Sequence, residues 1–202
     1  MKLFVVATPI GNLEDLSQRA LEILKAVDFI ACENPRYTLR LLGRYDIKTP
    51  IKPLSEIEKF ITKNDIALVS DAGTPGISDP GSEIINNLKD QAEIIPIPGP
   101  SAVITALSIS GFPASCFKFL GFIPHKKKRN KYLEEIINRK ETVVFYESPH
   151  RIIKTLKQLP ADLEVCVCRE LTKLHETIYR GEIKDIINKI KVKGEFVVVV
   201  RK

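Results

Sequence analysis

The sequence predicts an α/β fold split between two domains, and three observations predict it. Apolar runs of four to six residues alternate with amphipathic helical stretches along all 202 residues. Four of the strand-like runs in the first half lead into loops dense in glycine, proline and small polar residues. The charge balance also changes sign along the chain: residues 1–112 hold 11 Lys+Arg against 14 Asp+Glu, and residues 113–202 hold 20 against 11. A chain of this length has room for two modest cores, so the domains are expected at 1–112 and 113–202.

LFVVA (3–7) is the first strand, and a helical pattern runs from about Asp15 to Ala26 behind it. VDFIAC (27–32) is the second strand, with a helix around 37–43. IALVS (66–70) is the third, and its nearly unbroken apolar character suits a parallel strand covered on both faces. A short helix at about 82–89 leads to the strand EIIPI (93–97). Pro98-Gly99-Pro100-Ser101 then introduces AVITALSIS, which is apolar on nearly every side and reads as a buried helix with Ser101 as its cap. Gly111-Phe112-Pro113 stops that helix, and the boundary is placed there. The second half repeats the alternation: FKFLGF (117–122), a helix from about Lys128 to Arg139, TVVFY (142–146), a helix from about His150 to Leu159, then VCVCR (165–169). IYRGEI, a helix near 184–191 and EFVVVV (195–200) complete it.

No apolar run is long enough to cross a bilayer, and the run at the start breaks at Pro9 without a cleavage-site pattern. No membrane association and no secretory signal are read, and a cytoplasmic location is expected. The cysteines at 32, 116, 166 and 168 form no CxxC pair and lie near no histidine at zinc spacing, so no metal is expected. Cys166 and Cys168 alternate with Val165 and Val167, which puts both thiols on one face of a strand as small core residues. The net surplus of positive charge in the second half favours a polyanionic partner, and its densest part is the run from His125 to Lys131.

In open α/β sheets ligands gather where strands end at their carboxyl edge. Thr8-Pro9-Ile10-Gly11-Asn12, Glu33-Asn34-Pro35-Arg36, Ser70-Asp71-Ala72-Gly73-Thr74-Pro75-Gly76 and Pro98-Gly99-Pro100-Ser101 all fall at such positions, and one pocket built from the four is the economical reading. GxxxxGK[ST] and GxGxxG are both absent, which disfavours a bound di- or triphosphate and leaves a nucleoside-like ligand. HExxH is missing, and none of the histidines at 125, 150 and 175 has triad spacing. Within the third loop, Asp71 to Gly76 is assigned to ligand contact and Ser78 to Gly81 to shaping the turn into the next helix.

Six blocks, ATPIGNLEDLSQRALEILKAVDFIACE, ALVSDAGTPGISDPG, IPGPSAVITALSISGFP, FLGFIPHKK, VVFYESPHRI and CRELTKLHETIYRGE, resemble in order the signatures of the ribosomal RNA small-subunit methyltransferases I. These form a family within the tetrapyrrole (corrin/porphyrin) methylases. The resemblance implies two α/β domains of the tetrapyrrole methylase type with the cofactor cleft between them, in a homodimer. It implies S-adenosylmethionine as cofactor and 2′-O-methylation of a cytidine ribose in small-subunit ribosomal RNA, on the RNA or the 30S subunit. Cofactor contacts are expected from Pro9, Gly11, Asp71, Ala72, Gly73, Thr74, Pro98, Gly99, Pro100, Ser101 and Ala102, with Tyr146 and Glu147 from the second domain.

Transfer from a sulfonium to a hydroxyl needs positioning, an acceptor for the hydroxyl proton and no metal. Glu33, Asp71, Glu147 and Glu170 are the candidate acceptors, and the catalytic assignment rests on Glu33, Arg36, Glu170 and Lys173. Lys173 either lowers the pKa of the hydroxyl or contacts phosphate. RNA contacts are expected from Lys126, Lys127, Lys128, Arg129, Arg151 and Arg169; Arg36 and Arg169 have the alternative of a structural ion pair, and the basic run at 125–131 that of a solvated loop entering a helix.

The chain departs from the family in its second loop, where Glu-Asp-Thr-Arg-His-Thr is replaced by Glu33-Asn34-Pro35-Arg36-Tyr37-Thr38, and a later His-x-x-Asn-Glu stretch is missing. Typical members also carry a further C-terminal segment, so more of the RNA contact is expected from residues 125–131. Two alternatives stand beside the RNA reading. One is a small-molecule methyltransferase acting on a tetrapyrrole; the other is a non-catalytic RNA-binding assembly factor.

Overall fold

In the computed structural model, which describes residues 1–201, the chain divides into two compact units, Met1–Ser101 and Ala102–Lys202. The first unit is a five-stranded parallel sheet in the order β3-β2-β4-β1-β5, built from β1 (Lys2–Val6), β2 (Phe29–Cys32), β3 (Ile51–Pro53), β4 (Ile66–Val69) and β5 (Glu93–Ile97). The three-residue β3 is too short to show a period in the sequence, and IALVS is therefore the fourth strand in the chain. Among the described residues β3 pairs only with β2 and, like β5, it carries a proline, which an edge strand tolerates because one side of its backbone needs no partner.

Alternation along the strands divides the core of this unit into two faces. Phe4, Val6, Ile30, Cys32, Ala67 and Val69 meet α1 (Gln18–Ala26) and α2 (Pro35–Arg44) through Ala20, Leu24, Leu41 and Leu42. Leu3, Phe29, Ala31, Ile66 and Leu68 meet α3 (Ile57–Phe60) and α4 (Gly81–Leu88) through Ile57 and Leu88. Helices on both faces explain why β4 is buried at every position. α1 begins later than the expected Asp15 because the Ser17 hydroxyl accepts from the Ala20 amide at 3.1 Å and caps the helix there, leaving Asp15 in a preceding turn.

The second unit holds a mixed sheet in the order β6-β7-β10-β8-β9: β6 (Phe117–Phe122), β7 (Thr142–Glu147), β8 (Glu164–Arg169), β9 (Thr177–Glu182) and β10 (Phe196–Val200). β6 and β7 run parallel, and the other three ladders are antiparallel. One face packs Val143, Phe145, Val165, Val167, Val198 and Val200 against α6 (Arg129–Asn138), α7 (Ile152–Lys157) and α8 (Ile183–Ile186). α5 (Ala102–Ser110) packs over β10, β7 and β8. That packing is why the second unit starts at Ala102, whereas the sequence reading put the boundary after residue 112: AVITALSIS follows the loop at 98–101 in sequence but packs with the later sheet. Residues 102–112 carry no Asp, Glu, Lys or Arg, so the charge balance of each half is unaffected. Arg180 of β9 donates to the Ile109 carbonyl at 2.6 and 3.1 Å, placing a cation on the C-terminal turn of α5 where the helix dipole favours one.

Candidate functional site

β1 and β4 lie side by side, yet the loops after them lead to helices on opposite faces of the sheet, so a crevice opens between them at the carboxyl edge. Thr8 and Gly73 span it with reciprocal backbone bonds of 2.9 and 3.0 Å. The Thr8 hydroxyl also donates to the Ser70 carbonyl at 3.3 Å, and the Thr74 hydroxyl donates to the Pro100 carbonyl at 3.2 Å. The loops after β1, β4 and β5 are thus tied together. Asp71 brings in the fourth, since the Asn34 backbone amide donates to its carboxylate. Loss of solvent around that carboxylate raises the Asp71 pKa above its ordinary value, against the pull of the Asn34 amide.

The gathering of loops follows from local chemistry. Asn34 caps α2 by accepting from the Arg36 amide at 3.1 Å, with Pro35 at the first helical position. Asp79 Oδ1 accepts from the Gly76 and Gly81 amides at 2.7 and 2.8 Å, closing the turn into α4 as expected. Gly11, Asp71, Ala72, Pro98 and Gly99 present exposed surface at this edge, Thr74, Pro100 and Ser101 are half-buried, and Pro9 and Gly73 are buried beneath. Ala102 opens α5 of the second unit. Glu33 and Arg36 are exposed at the same edge of the sheet, after β2. Beneath them Cys32 is buried, and that burial raises its thiol pKa despite a hydrogen bond with Thr38, with the nearby Asp71 charge adding to the rise. The donor set suits a nucleoside carrying a cationic sulfonium: exposed backbone of Gly- and Pro-rich loops, one carboxylate at the rim, and no phosphate motif.

In the second unit, β7 and β8 end where β10 begins, because Phe196 pairs with both Glu147 and Arg169. That edge assembles a polar cluster. Lys173 Nζ lies 3.2 Å from Glu170 Oε1 and 2.7 Å from Glu195 Oε2, and the Glu195 amide donates to Glu170 Oε1 at 2.9 Å. A glycine is required at 194, because a Cβ there would sit 2.5 Å from Glu170 Cδ and its φ is +93°. Burial opposes the Glu170 charge, but the Glu195 amide and Lys173, with Arg169 behind them, hold its pKa below the ordinary value. Burial likewise disfavours the Lys173 ammonium, and Glu195 and Glu170 outweigh it, so its pKa rises. Lys173 is a cation here and not a base. Tyr146 is pushed up to about 12 by burial and the Glu195 charge, and stays a phenol. Glu195 is the member that sequence reasoning misses; it comes to the cluster only through the long-range β10 pairing and has no local signal.

Four assignments are corrected. Glu147 is 1% exposed, and its carboxylate is occupied within the unit: Oε1 takes the Ser148 amide at 2.8 Å and Arg151 at 2.7 Å, while Oε2 takes the Thr155 hydroxyl at 2.5 Å. Arg129 is buried, donating to Gln158 at 2.7 and 3.0 Å, Thr155 at 2.8 Å and the Pro124 carbonyl at 3.2 Å. Arg151 spends its guanidinium on Glu147, Ser148 and the Ile123 carbonyl. Arg169 is buried against the carbonyls of Lys193 at 2.6 Å and His175 at 2.7 Å. All three guanidinium groups are engaged within the unit, each with at least one backbone carbonyl among its partners. Lys126, Lys127 and Lys128 remain exposed.

Among the described residues no group of three or more His, Cys, Asp or Glu gathers as a metal site, and no helix is long and apolar enough to cross a membrane. Comparison with known proteins matches residues 2–187 to the family described as Tetrapyrrole (Corrin/Porphyrin) Methylases. A protein named ribosomal RNA small subunit methyltransferase I from Hydrogenobaculum sp. is 46% identical over an alignment covering 100% of this chain and 96% of the relative. Proteins of that name from Thermotoga maritima and Bacillus subtilis are 40% and 44% identical, each over 98% of this chain and over 97% and 75% of the relative. Among solved structures, a diphthine synthase superposes with a TM-score of 0.78 at 14% identity, covering 100% of this chain and 90% of that one. A uroporphyrin-III-C-methyltransferase from Thermus thermophilus gives 0.69 at 18%, covering 100% and 94%.

Proposed function

The chain belongs to the tetrapyrrole (corrin/porphyrin) methylases, and from that premise we propose that it methylates a cytidine ribose 2′-hydroxyl in small-subunit ribosomal RNA. It is an S-adenosylmethionine-dependent methyltransferase. The observation that carries the RNA reading is end-to-end identity of 46% with a relative named for ribosomal RNA. The structural neighbours support the fold alone, at 14% and 18% identity.

Bound cofactor supplies an electrophilic methyl group. The exposed loop residues Gly11, Asp71, Ala72, Pro98 and Gly99, with Thr74 and Pro100 bracing them, hold it, and Asp71 offers its carboxylate to the positive charge. Glu33, Arg36, Glu170 and Lys173 are the residues assigned to the acceptor. Lys173, kept charged by its two carboxylates, stabilises negative charge as the hydroxyl loses its proton, and a carboxylate accepts that proton. The exposed lysines 126–128 contact phosphate. The protein is expected to act on the 30S subunit or its RNA, as a homodimer in the cytoplasm.

Incubation with labelled S-adenosylmethionine and either undermethylated 30S subunits or tetrapyrrole precursors tests this. Label recovered in a 2′-O-methylcytidine of the ribosomal RNA is the expected result; label in the tetrapyrrole, or none in either, overturns the reading. Asp71→Asn weakens cofactor binding by roughly 10- to 100-fold, the worth of one charged hydrogen bond, in calorimetry near neutral pH. The sign with pH follows from the raised pKa: the carboxylate is the attracting form, so wild-type affinity falls as pH drops through that value, whereas the Asn variant is flat there.

A further inference from the structure

We propose that Phe122, set on the aromatic face of β6, is a stacking platform for an unpaired base of the RNA substrate, working beside the lysines at 126–128. The inference rests on the ribosomal RNA reading and adds to it a site for a base where the lysines alone offer contacts to phosphate.

The first observation is a β-bulge. Phe117 pairs with Thr142 and Phe119 with Val144, so regular pairing would set Gly121 opposite Tyr146 and turn Phe122 toward the core face. Instead one extra residue is inserted, and Phe122 is opposite Tyr146. Gly121, at φ +64°, takes the left-handed conformation that such an insertion needs. The bulge therefore re-aims one large apolar side chain onto the face that already carries Phe117 and Phe119. A phenylalanine turned inward would bury its ring; here Phe122 is left 57% exposed. Bulges of this kind recur where a strand redirects a side chain next to a functional site.

The second observation is that the ring is held in place. Its centroid is 5.3 Å from that of Tyr146, which in turn meets Phe119 edge-on at 5.0 Å. Behind this cluster Arg151 donates to the Ile123 carbonyl at 2.6 Å and Arg129 to the Pro124 carbonyl at 3.2 Å, and both arginines face the buried Glu147. Ile123 and Pro124, the first two of the three residues between the exposed ring and the exposed lysines, are thus fixed from below. The arginines that do not reach RNA phosphate instead hold the surface that would.

The third observation is charge. One residue after the fixed segment, beyond His125, come Lys126, Lys127 and Lys128, all exposed, in the half of the chain that carries the positive surplus. A rigid aromatic ring beside exposed ammonium groups is the arrangement by which proteins take single-stranded nucleic acid: bases stack on the ring and phosphates pair with the cations. A wholly apolar partner would leave the lysines unpaired.

The test uses the full chain and a short single-stranded RNA oligonucleotide of small-subunit sequence carrying 2-aminopurine, with anisotropy for affinity and 2-aminopurine quenching for stacking. Phe122→Ala is expected to weaken binding by about 5- to 100-fold and to abolish quenching, without changing the slope of affinity against salt. Phe122→Trp is expected to restore both signals. Lys126→Ala/Lys127→Ala/Lys128→Ala is expected to flatten the salt slope while quenching persists at low salt. Unchanged affinity and quenching in Phe122→Ala, with the lysine variant weakened, overturns the stacking site and leaves the RNA reading standing. Failure of the wild type to bind any small-subunit RNA overturns both. If Phe122→Ala changes only the sedimentation behaviour of the protein, the face joins copies of this chain and the proposal fails. A thermal midpoint close to wild type for Phe122→Ala keeps misfolding out of the comparison, since the ring is mostly outside the core.

Discussion

At the scale of single residues, Glu147 shows how burial decides between roles that composition leaves open. A glutamate beside a serine and three residues before a histidine reads as chemistry, and the same carboxylate at 1% exposure, surrounded by Arg129, Arg151, Thr155 and the Ser148 amide, is a structural anchor. Removing one partner of a buried ionic network leaves the others charged and desolvated, so Glu147→Ala is expected to cost about 3–5 kcal/mol. Chemical denaturation reads this as a lowered midpoint with an unchanged slope; a loss under about 1 kcal/mol would mean that the arginines find water or other partners. The sequence leaves the engagement of Glu147, Arg129 and Arg151 unseen because a local motif does not record burial, nor a partner as distant as Gln158, 29 residues from Arg129. Asp79 is legible because both of its partners, Gly76 and Gly81, lie within three residues.

At the scale of elements, the segment between β8 and β9 carries two non-glycine residues at positive φ, Glu170 at +53° and Thr172 at +62°. Such conformations persist only when surrounding contacts over-determine them. Here the contacts are the Glu170–Lys173–Glu195 cluster, the Thr172 amide on Glu176 at 2.6 Å, and Arg169 on the His175 carbonyl. The pH dependence follows from the two shifts. Glu170 has a depressed folded pKa, so its contribution is complete above the unfolded value of about 4.3 and is lost as pH falls through the folded one. Lys173 has a raised folded pKa, so its contribution is complete below the unfolded value of about 10.4 and is lost as pH rises through the folded one. Amide hydrogen exchange across residues 170–176, corrected for intrinsic rates, is therefore expected to show full protection between those limits and progressive loss on acidification. Equal protection in Glu170→Gln would show that backbone bonds alone hold the segment.

At the scale of the whole molecule, charge is partitioned and the partition has a measurable consequence. With Arg129, Arg151 and Arg169 withdrawn into structure, the lysines at 126–128 are the assigned cationic groups that remain exposed. Removing one lysine–phosphate pair lowers the slope of log affinity against log salt by about 0.7–0.9. Replacing all three lysines by alanine is expected to lower it by roughly 2–3, whereas Arg169→Ala lowers stability before it touches the slope. An unaltered slope in the triple variant would remove this run from the interface.

What the sequence determined by itself was whatever depends on near neighbours: the strand and helix alternation, the four loops at the carboxyl edge, the Asp79 turn, and the motif order that marks the family. Those features rest on periodicity and on hydrogen bonds a few residues long. Tertiary structure alone decided that AVITALSIS packs with the second sheet, that Glu195 joins Glu170 and Lys173, that three arginines and Glu147 find their partners within the second unit, and that Phe122 faces outward. Each of these depends on strand pairing and register, where one inserted residue reverses the face a side chain takes, and no local pattern records which distant strand supplies the partner.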